Sequence, residues 1–493
     1  MQLKNLAKQT AIYGIPSIVG RFLNFLLVPL YTYSFIPAEY GVVTEFYAYM
    51  AFFMVLLTYG METAFFRFIQ KYKSYTAVYS TSLWSLLCTS SIFFLAVFFN
   101  KEVLANWMGT SGASSYILCF ALILVADVLS VLPLCLLREE NKAFRFAILK
   151  MINIATNIGL NLFFILYCPH VLHANPDSWI RLVYDPNIGV GYIFISNLAA
   201  SLLTLLLLFP EWKKFHFNFN YKLWKEIMIY ALPVMVWGMA GIVNETFDRI
   251  LLRYLIPDTQ DALYQLGVYG ACYKISIVMT LFIQAFRFAA EPFFFKQAEE
   301  KNAPQVYAQV MKFFVITCAF IFLICVLFLD YLMYFVGADF RVGVGVVPVL
   351  LLANLFLGVF YNLSVWYKIT DRTRVGAYIS TIGAALTLLL NFVWIPIWGY
   401  HGAAWATLTC YFCIAVISYF WGQKYYPIPY PLKRISFYIG FVIALYMLKV
   451  FFVPALMLWQ LIYALVALAI FCTTLLYLER DSLKNIRIKI NKK

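Results

Sequence analysis

The chain has 493 residues, of which 63% are hydrophobic, 19% aromatic and only 12% charged. Soluble domains average about 45–50% apolar and about 25% charged residues, so a water-facing globule of this length is excluded, and apolar segments along the whole length exclude a single anchor on a soluble domain. The 37 Lys+Arg against 23 Asp+Glu give a net charge of +14; in a membrane protein such an excess sorts to cytoplasmic loops, and a nucleic-acid surface is the weaker reading.

The first ten residues are polar and carry Lys4 and Lys8. The apolar run that follows reaches about Phe35, too long for a signal-peptide core, and reads as a retained first span. A hydrocarbon core about 30 Å thick needs about 20 helical residues. That ruler predicts about 14 transmembrane helices, near 11–35, 41–66, 78–99, 116–137, 147–168, 189–209, 227–255, 265–291, 309–336, 343–367, 376–398, 401–421, 435–453 and 456–478. Lipid demands helices because it offers no partner to free backbone groups, and unbroken apolar runs without strand alternation exclude a barrel. The expected class is therefore an all-α polytopic membrane protein.

Threading the chain with its N-terminus inside puts 28 Lys/Arg on one set of alternate loops, four (Lys101, Arg181, Arg341, Lys449) on the other and five within spans. So uneven a partition predicts an even span number with both termini cytoplasmic. Loops are short, the longest outer one running from about Pro169 to Ile188, which leaves no room for a catalytic domain; the expectation is a non-enzyme. No G-x-x-x-x-G-K-[ST] occurs, so the chain carries no P-loop ATPase. Most cysteines lie in apolar stretches, and the Cys410–Cys413 pair sits in a hydrophobic helix, suggesting packing rather than disulfide, redox or metal chemistry. His170 and His173 with Asp177 read as a solvated loop cluster; no cofactor and no metal are expected.

An internal repeat is visible. Ile12-Tyr13-Gly14-Ile15-Pro16 recurs as Ile229-Tyr230-Ala231-Leu232-Pro233; Ile36-Pro37 matches Ile256-Pro257; Gly41-Val42 matches Gly267-Val268; Leu160-Asn161 matches Leu390-Asn391. The expected halves are 1–215 and 216–425, six spans each, followed by two further spans and a basic tail in 426–493. Six is even, so the halves are parallel repeats with the substrate path between them. Pro16 and Pro233 are expected to bend spans 1 and 7.

Eleven ionisable residues fall inside spans: Arg21, Glu45, Glu62, Asp127, Glu245, Asp248, Arg249, Arg253, Lys274, Arg287 and Glu291. At about 2.5–3.5 kcal/mol each near a helix centre, lipid exposure of all of them would cost roughly 30 kcal/mol, more than the typical net stability of about 5–15 kcal/mol. Most must face a wet cavity or one another. Arg21, Asp127 and Lys274 lie about 15 Å deep. Glu245, Arg249 and Arg253 form an i, i+4, i+8 stripe, and Arg287–Glu291 an i, i+4 pair, so both sets can equally neutralise themselves within one helix. Arg253 is expected to snorkel to the interface. Arg and Lys at several depths suit a phosphate.

The segments Lys8-Gln9-Thr10 running into Tyr13-Gly14 and Pro16, Asp248-Arg249-Ile250-Leu251-Leu252, Gly267-Val268-Tyr269-Gly270-Ala271-Cys272-Tyr273-Lys274-Ile275-Ser276, and Ala285-Phe286-Arg287 followed by Glu291-Pro292-Phe293-Phe294 carry a family resemblance. The chain resembles the polysaccharide flippases of the multidrug/oligosaccharidyl-lipid/polysaccharide exporter (MOP) superfamily. That resemblance implies a V-shaped two-lobe transporter that moves undecaprenyl-diphosphate-linked oligosaccharide (an O-antigen, capsule or exopolysaccharide unit) to the outer leaflet of the bacterial inner membrane by alternating access. It implies Arg21, Arg249, Lys274 and Arg287 as diphosphate-binding cations, and Glu62, Asp127, Glu245 and Asp248 as candidate coupling acids for H+ or Na+. Its expected partners are the lipid bilayer and the lipid-linked glycan, not nucleic acid; the expected state is a monomer beside the polysaccharide polymerase machinery. A flippase of lipid II or another lipid-linked carrier, a cation-coupled multidrug exporter of the same superfamily, and a membrane polymerase or ligase are the alternatives.

Overall fold

The computed structural model describes residues 18–72, 75–108, 114–298, 300–370, 372–454 and 456–480, and among these it is helical with no strand. The Lys8–Pro16 segment, and with it the expected bend at Pro16, lies outside the described residues, as does the tail beyond Arg480. Eleven described stretches are long and apolar enough to cross a membrane. One of them, Thr373–Tyr425, is two helices that reverse at Gly399 (φ +55°), and Gly191–Leu207 is a shorter apolar helix. The total approaches the expected 14, and the chain is a multi-pass membrane protein.

The helices, in chain order, are α1 (18–34), α2 (Pro37–Tyr72), α3 (Tyr75–Trp107), α4 (Ser114–Glu139), α5 (Ala143–Ala174), α6 (Gly191–Leu207) and α7 (Tyr221–Leu255). They continue as α8 (Thr259–Ile275, resumed as Ile277–Gln297), α9 (Ala303–Leu327), α10 (Ala338–Ile369), α11 (Thr373–Trp398), α12 (Tyr400–Tyr425), α13 (Leu432–Phe452) and α14 (Met457–Leu478). Their starts follow local chemistry. Pro37 opens α2, where its missing N–H costs nothing. The Asn220 side chain accepts from the Leu223 N–H at the head of α7 (3.1 Å), and Asp258 accepts from the Asp261 N–H at the head of α8 (2.8 Å).

α2 is longer than the sequence predicts and is broken at Tyr59 (φ +33°) and Gly60 (φ +74°), where the backbone turns left-handed. α7 runs as one helix through Pro233. α3–α6 pack chiefly on one another, α9–α13 likewise, and α2, α7 and α8 bridge the two groups. α9 is tied at both ends. Lys449 of α13 donates to the Leu327 carbonyl (2.9 Å) and pairs with Asp330 (2.5 Å), while Lys312 pairs with the buried Glu479 beyond α14.

The α2–α8 crossing is close enough to involve backbone. A Cβ on Gly267 would lie 1.8 Å from the Pro37 carbonyl oxygen, and one on Gly41 2.1 Å from that of Leu263. These are the two glycines that the repeat equates, meeting face to face. The same face is closed by Gly337, whose N–H donates to Thr32 (3.1 Å), and by Arg341, which donates to the Tyr33 hydroxyl (3.1 Å). At the other, basic face, Lys71 pairs with Glu226 across α2 and α7 (2.6 Å), the Tyr72 hydroxyl donates to Glu226 (2.8 Å), and Arg67 lies over Tyr230 (4.2 Å).

Candidate functional site

Two cavities follow one another along α7. The first, about 360 Å³, is walled by α1, α2, α7 and α8 and receives Arg21, Arg249 and Lys274. Small residues make the room: Ala48 and Ala51 on α2 and Gly270 on α8. The second, about 380 Å³, lies between α7, α8, α10, α11 and α12 and receives Arg287 and Lys368. Glu245 lines both. All four cations expected from the sequence therefore line these two cavities, three in the first and one in the second.

Arg249 does not pair with Glu245. Its guanidinium lies over the Tyr273 ring (4.0 Å) and donates to the Glu245 backbone oxygen (3.2 Å), which leaves the Glu245 carboxylate without a partner among the described residues. Arg21 and Lys274 likewise meet no carboxylate among them; in the first chamber three cations face a single acid. Ionisable side chains at membrane depth are costly unless they face water or one another.

Arg287 sits over Tyr361 (4.1 Å) and only 4.0 Å from Glu291, which instead takes Lys368 at 2.6 Å. Lys368 belongs by sequence to the basic loop set, and nothing local signals that it reaches the chamber.

The remaining candidate acids stand elsewhere. Asp248 is buried and satisfied: the Tyr269 hydroxyl donates to Oδ2 (2.6 Å) and the Arg249 N–H to Oδ1 (2.8 Å). Glu62 pairs with Arg138 (2.6 Å), both half-exposed. Asp127 lies within the α3–α6 group with Ser201 and Lys150 as polar neighbours. None of the three lines either chamber.

Arg253 corrects an expectation. It does not snorkel; it is 5% exposed, donates to the Met108 carbonyl (2.7 Å) and faces Glu45, which is fully buried (3.4 Å). Arg253 ends an i, i+8 stripe that looks solvent-seeking in one dimension, but the α2 and α3 ends fold over it.

Residues 6–298 match the family described as Polysaccharide biosynthesis protein. The chain belongs to that family. Its fold is similar to that of "Lipid II flippase MurJ, inward closed conformation" (15% identity, TM-score 0.73, 96% of this chain and 99% of that one). It is also similar to inward-facing and outward-facing structures of a multidrug resistance MATE family transporter of the MOP superfamily. The inward-facing one has 14% identity and a TM-score of 0.65 over 88% of this chain and 99% of that one; the outward-facing one has 13% and 0.60 over 88% and 97%. No curated protein matches the sequence. The resemblance read from the sequence is thus met: this polysaccharide biosynthesis family protein has the fold of the MOP superfamily.

Proposed function

We propose that this family member is a flippase for undecaprenyl-diphosphate-linked oligosaccharide. It would carry an O-antigen, capsule or exopolysaccharide unit from the cytoplasmic to the outer leaflet of the bacterial inner membrane, with both termini and the basic face cytoplasmic. The observation that carries this reading is the first chamber, where Arg21, Arg249 and Lys274 converge without an ion-pair partner among the described residues. A diphosphate supplies the missing negative charge: Arg offers a planar fork and Lys a point charge. The halves 1–215 and 216–425 act as the two lobes, the polyprenyl tail stays in lipid, and no bond is made or broken. Glu245, the acid shared by both chambers, is the candidate site for H+ or Na+ coupling.

Lipid II, the cargo named for one structural neighbour, presents the same diphosphate and is the nearest competing cargo. A drug exporter would suit an acid-rich cavity, against which three cations and one carboxylate argue.

The test is flipping of fluorescent undecaprenyl-diphosphate-linked oligosaccharide, with lipid II as a second cargo, in proteoliposomes. Losing one charge-assisted contact in Arg21→Gln or Lys274→Gln should slow flipping about tenfold or more. Undiminished flipping by correctly folded variants would overturn the diphosphate role, and faster flipping of lipid II would reassign the cargo.

A further inference from the structure

The second chamber differs in chemistry from the first. Between Glu245 at one end and the Arg287–Glu291–Lys368 cluster at the other, its wall is uncharged and aromatic. Trp237 is the exposed aromatic of that wall, 45% open, and among the described residues it has no stacking partner and its indole N–H no acceptor. One turn further along α7 is Gly241, where an added Cβ would meet nothing within 4 Å. A mid-helix glycine costs about 1 kcal/mol relative to alanine, and here it leaves a clear floor beside the indole.

Beside them, hydrogen bonds through Asn244 tie α7 to α11 and α12. The Tyr411 hydroxyl donates to the Asn244 carbonyl (3.1 Å). The Asn244 amide donates to the Ser380 carbonyl (3.1 Å) and accepts from Thr387 (3.0 Å). A flat aromatic face, a cleared floor and fixed polar groups suit a ligand with one apolar face and a rim of hydroxyls, and the volume falls within the range of small-ligand sites, about 300–1,000 Å³.

We infer that the second chamber is a glycan subsite in which Trp237, over the floor left by Gly241, stacks on the uncharged sugar next to the diphosphate. This inference rests on the flippase reading, which places the diphosphate at Arg249 and Lys274. Gly241 and Trp237 stand eight and 12 residues from Arg249 along α7, about 12 and 18 Å by the helical rise. The chain of contacts therefore runs from phosphate to sugar in the order in which the cargo is built. The cations fix the common part of any such lipid, and the second chamber reads the variable part.

The experiment uses the full chain in lipid nanodiscs and two defined probes, undecaprenyl diphosphate and undecaprenyl-diphospho-N-acetylglucosamine. In the unmodified protein the sugar-bearing probe binds more tightly. Trp237→Ala removes that increment, up to about tenfold for a lost aromatic stacking contact, and leaves affinity for the sugar-free probe within about twofold. Gly241→Leu, which fills the floor one turn from the indole, gives the same pattern, and Trp237→Phe retains most of the increment. Lys274→Gln weakens both probes. Equal loss of both probes in Trp237→Ala and Gly241→Leu, or no loss in either, overturns the subsite. Failure of the unmodified protein to bind either probe overturns the flippase reading instead.

Discussion

The buried pair Glu45–Arg253 allows a stability prediction with a sign that depends on how it is broken. The two groups lie 3.4 Å apart, 0% and 5% exposed, and hold the start of α2 to the end of α7. At an effective dielectric of about 20, charges at that distance attract by about 5 kcal/mol. Desolvation of both groups offsets much of this, and neither Glu45 oxygen gains a hydrogen bond in return.

Glu45→Gln keeps the shape but leaves the Arg253 charge facing only the Met108 carbonyl. Stranding one member of a buried pair costs about 3–5 kcal/mol, and the expected result is a clear fall in the melting temperature of the purified protein. Replacing both, Glu45→Leu with Arg253→Met, removes charge and desolvation together. It should recover most of the loss or exceed the starting stability, since such replacements range from neutral to about 1–4 kcal/mol stabilising. A double-mutant cycle by thermal unfolding reads this directly. If Glu45→Gln melts like the parent, or the double variant is as unstable as the sum of the singles, the pair is not the electrostatic contact described above.

Three other predictions concern the two faces. Gly267→Ala drives a Cβ into the Pro37 carbonyl oxygen (1.8 Å); overpacking of this kind costs about 1–3 kcal/mol, and a thiol placed at Thr44 should become reactive from that face, an unchanged labelling rate being the contrary result. Lys71→Ala should leave the melting temperature unmoved, because the Lys71–Glu226 pair is exposed. It should still speed reagent access to the chambers from the basic face, and high salt should reproduce the effect in the parent. At the α4–α5 turn, burial raises the Glu140 carboxyl pKa, but Lys142 (2.8 Å) and Lys214 outweigh it and hold the group below the ordinary carboxylate value. A depressed folded pKa gives stability that is present above the unfolded value, near 4.3, and is lost as pH falls through the folded one. Acid unfolding followed below about pH 4 should therefore be less steep in Glu140→Gln, and an identical acid limb would refute the contact.

Much of this architecture is legible in one dimension, because hydrophobic length and the cost of buried charge act locally. The spans follow from runs of about 20 apolar residues. Arg21 and Lys274 stand out because no acid lies within a turn of them, and both border the first chamber. Pairings across the bundle are a different matter. Glu45 with Arg253, Glu62 with Arg138 and Glu291 with Lys368 join residues far apart in the chain, and no periodicity announces them. The apparent i, i+4 partners Glu245–Arg249 mislead for the same reason: Tyr273, on another helix, offers the guanidinium a better seat. Trp237 was hidden among 12 tryptophans, most of which suit the interfacial belts.

The break at Tyr59–Gly60 has one more consequence. It divides α2 into an upper piece locked against α8 through Gly41 and Gly267 and a lower piece, Met61–Tyr72, that carries Arg67 and Lys71 across to α7. The upper piece is held by α8 and the lower one by α3, α4 and α7, so the two faces are closed by separately anchored portions of a single helix.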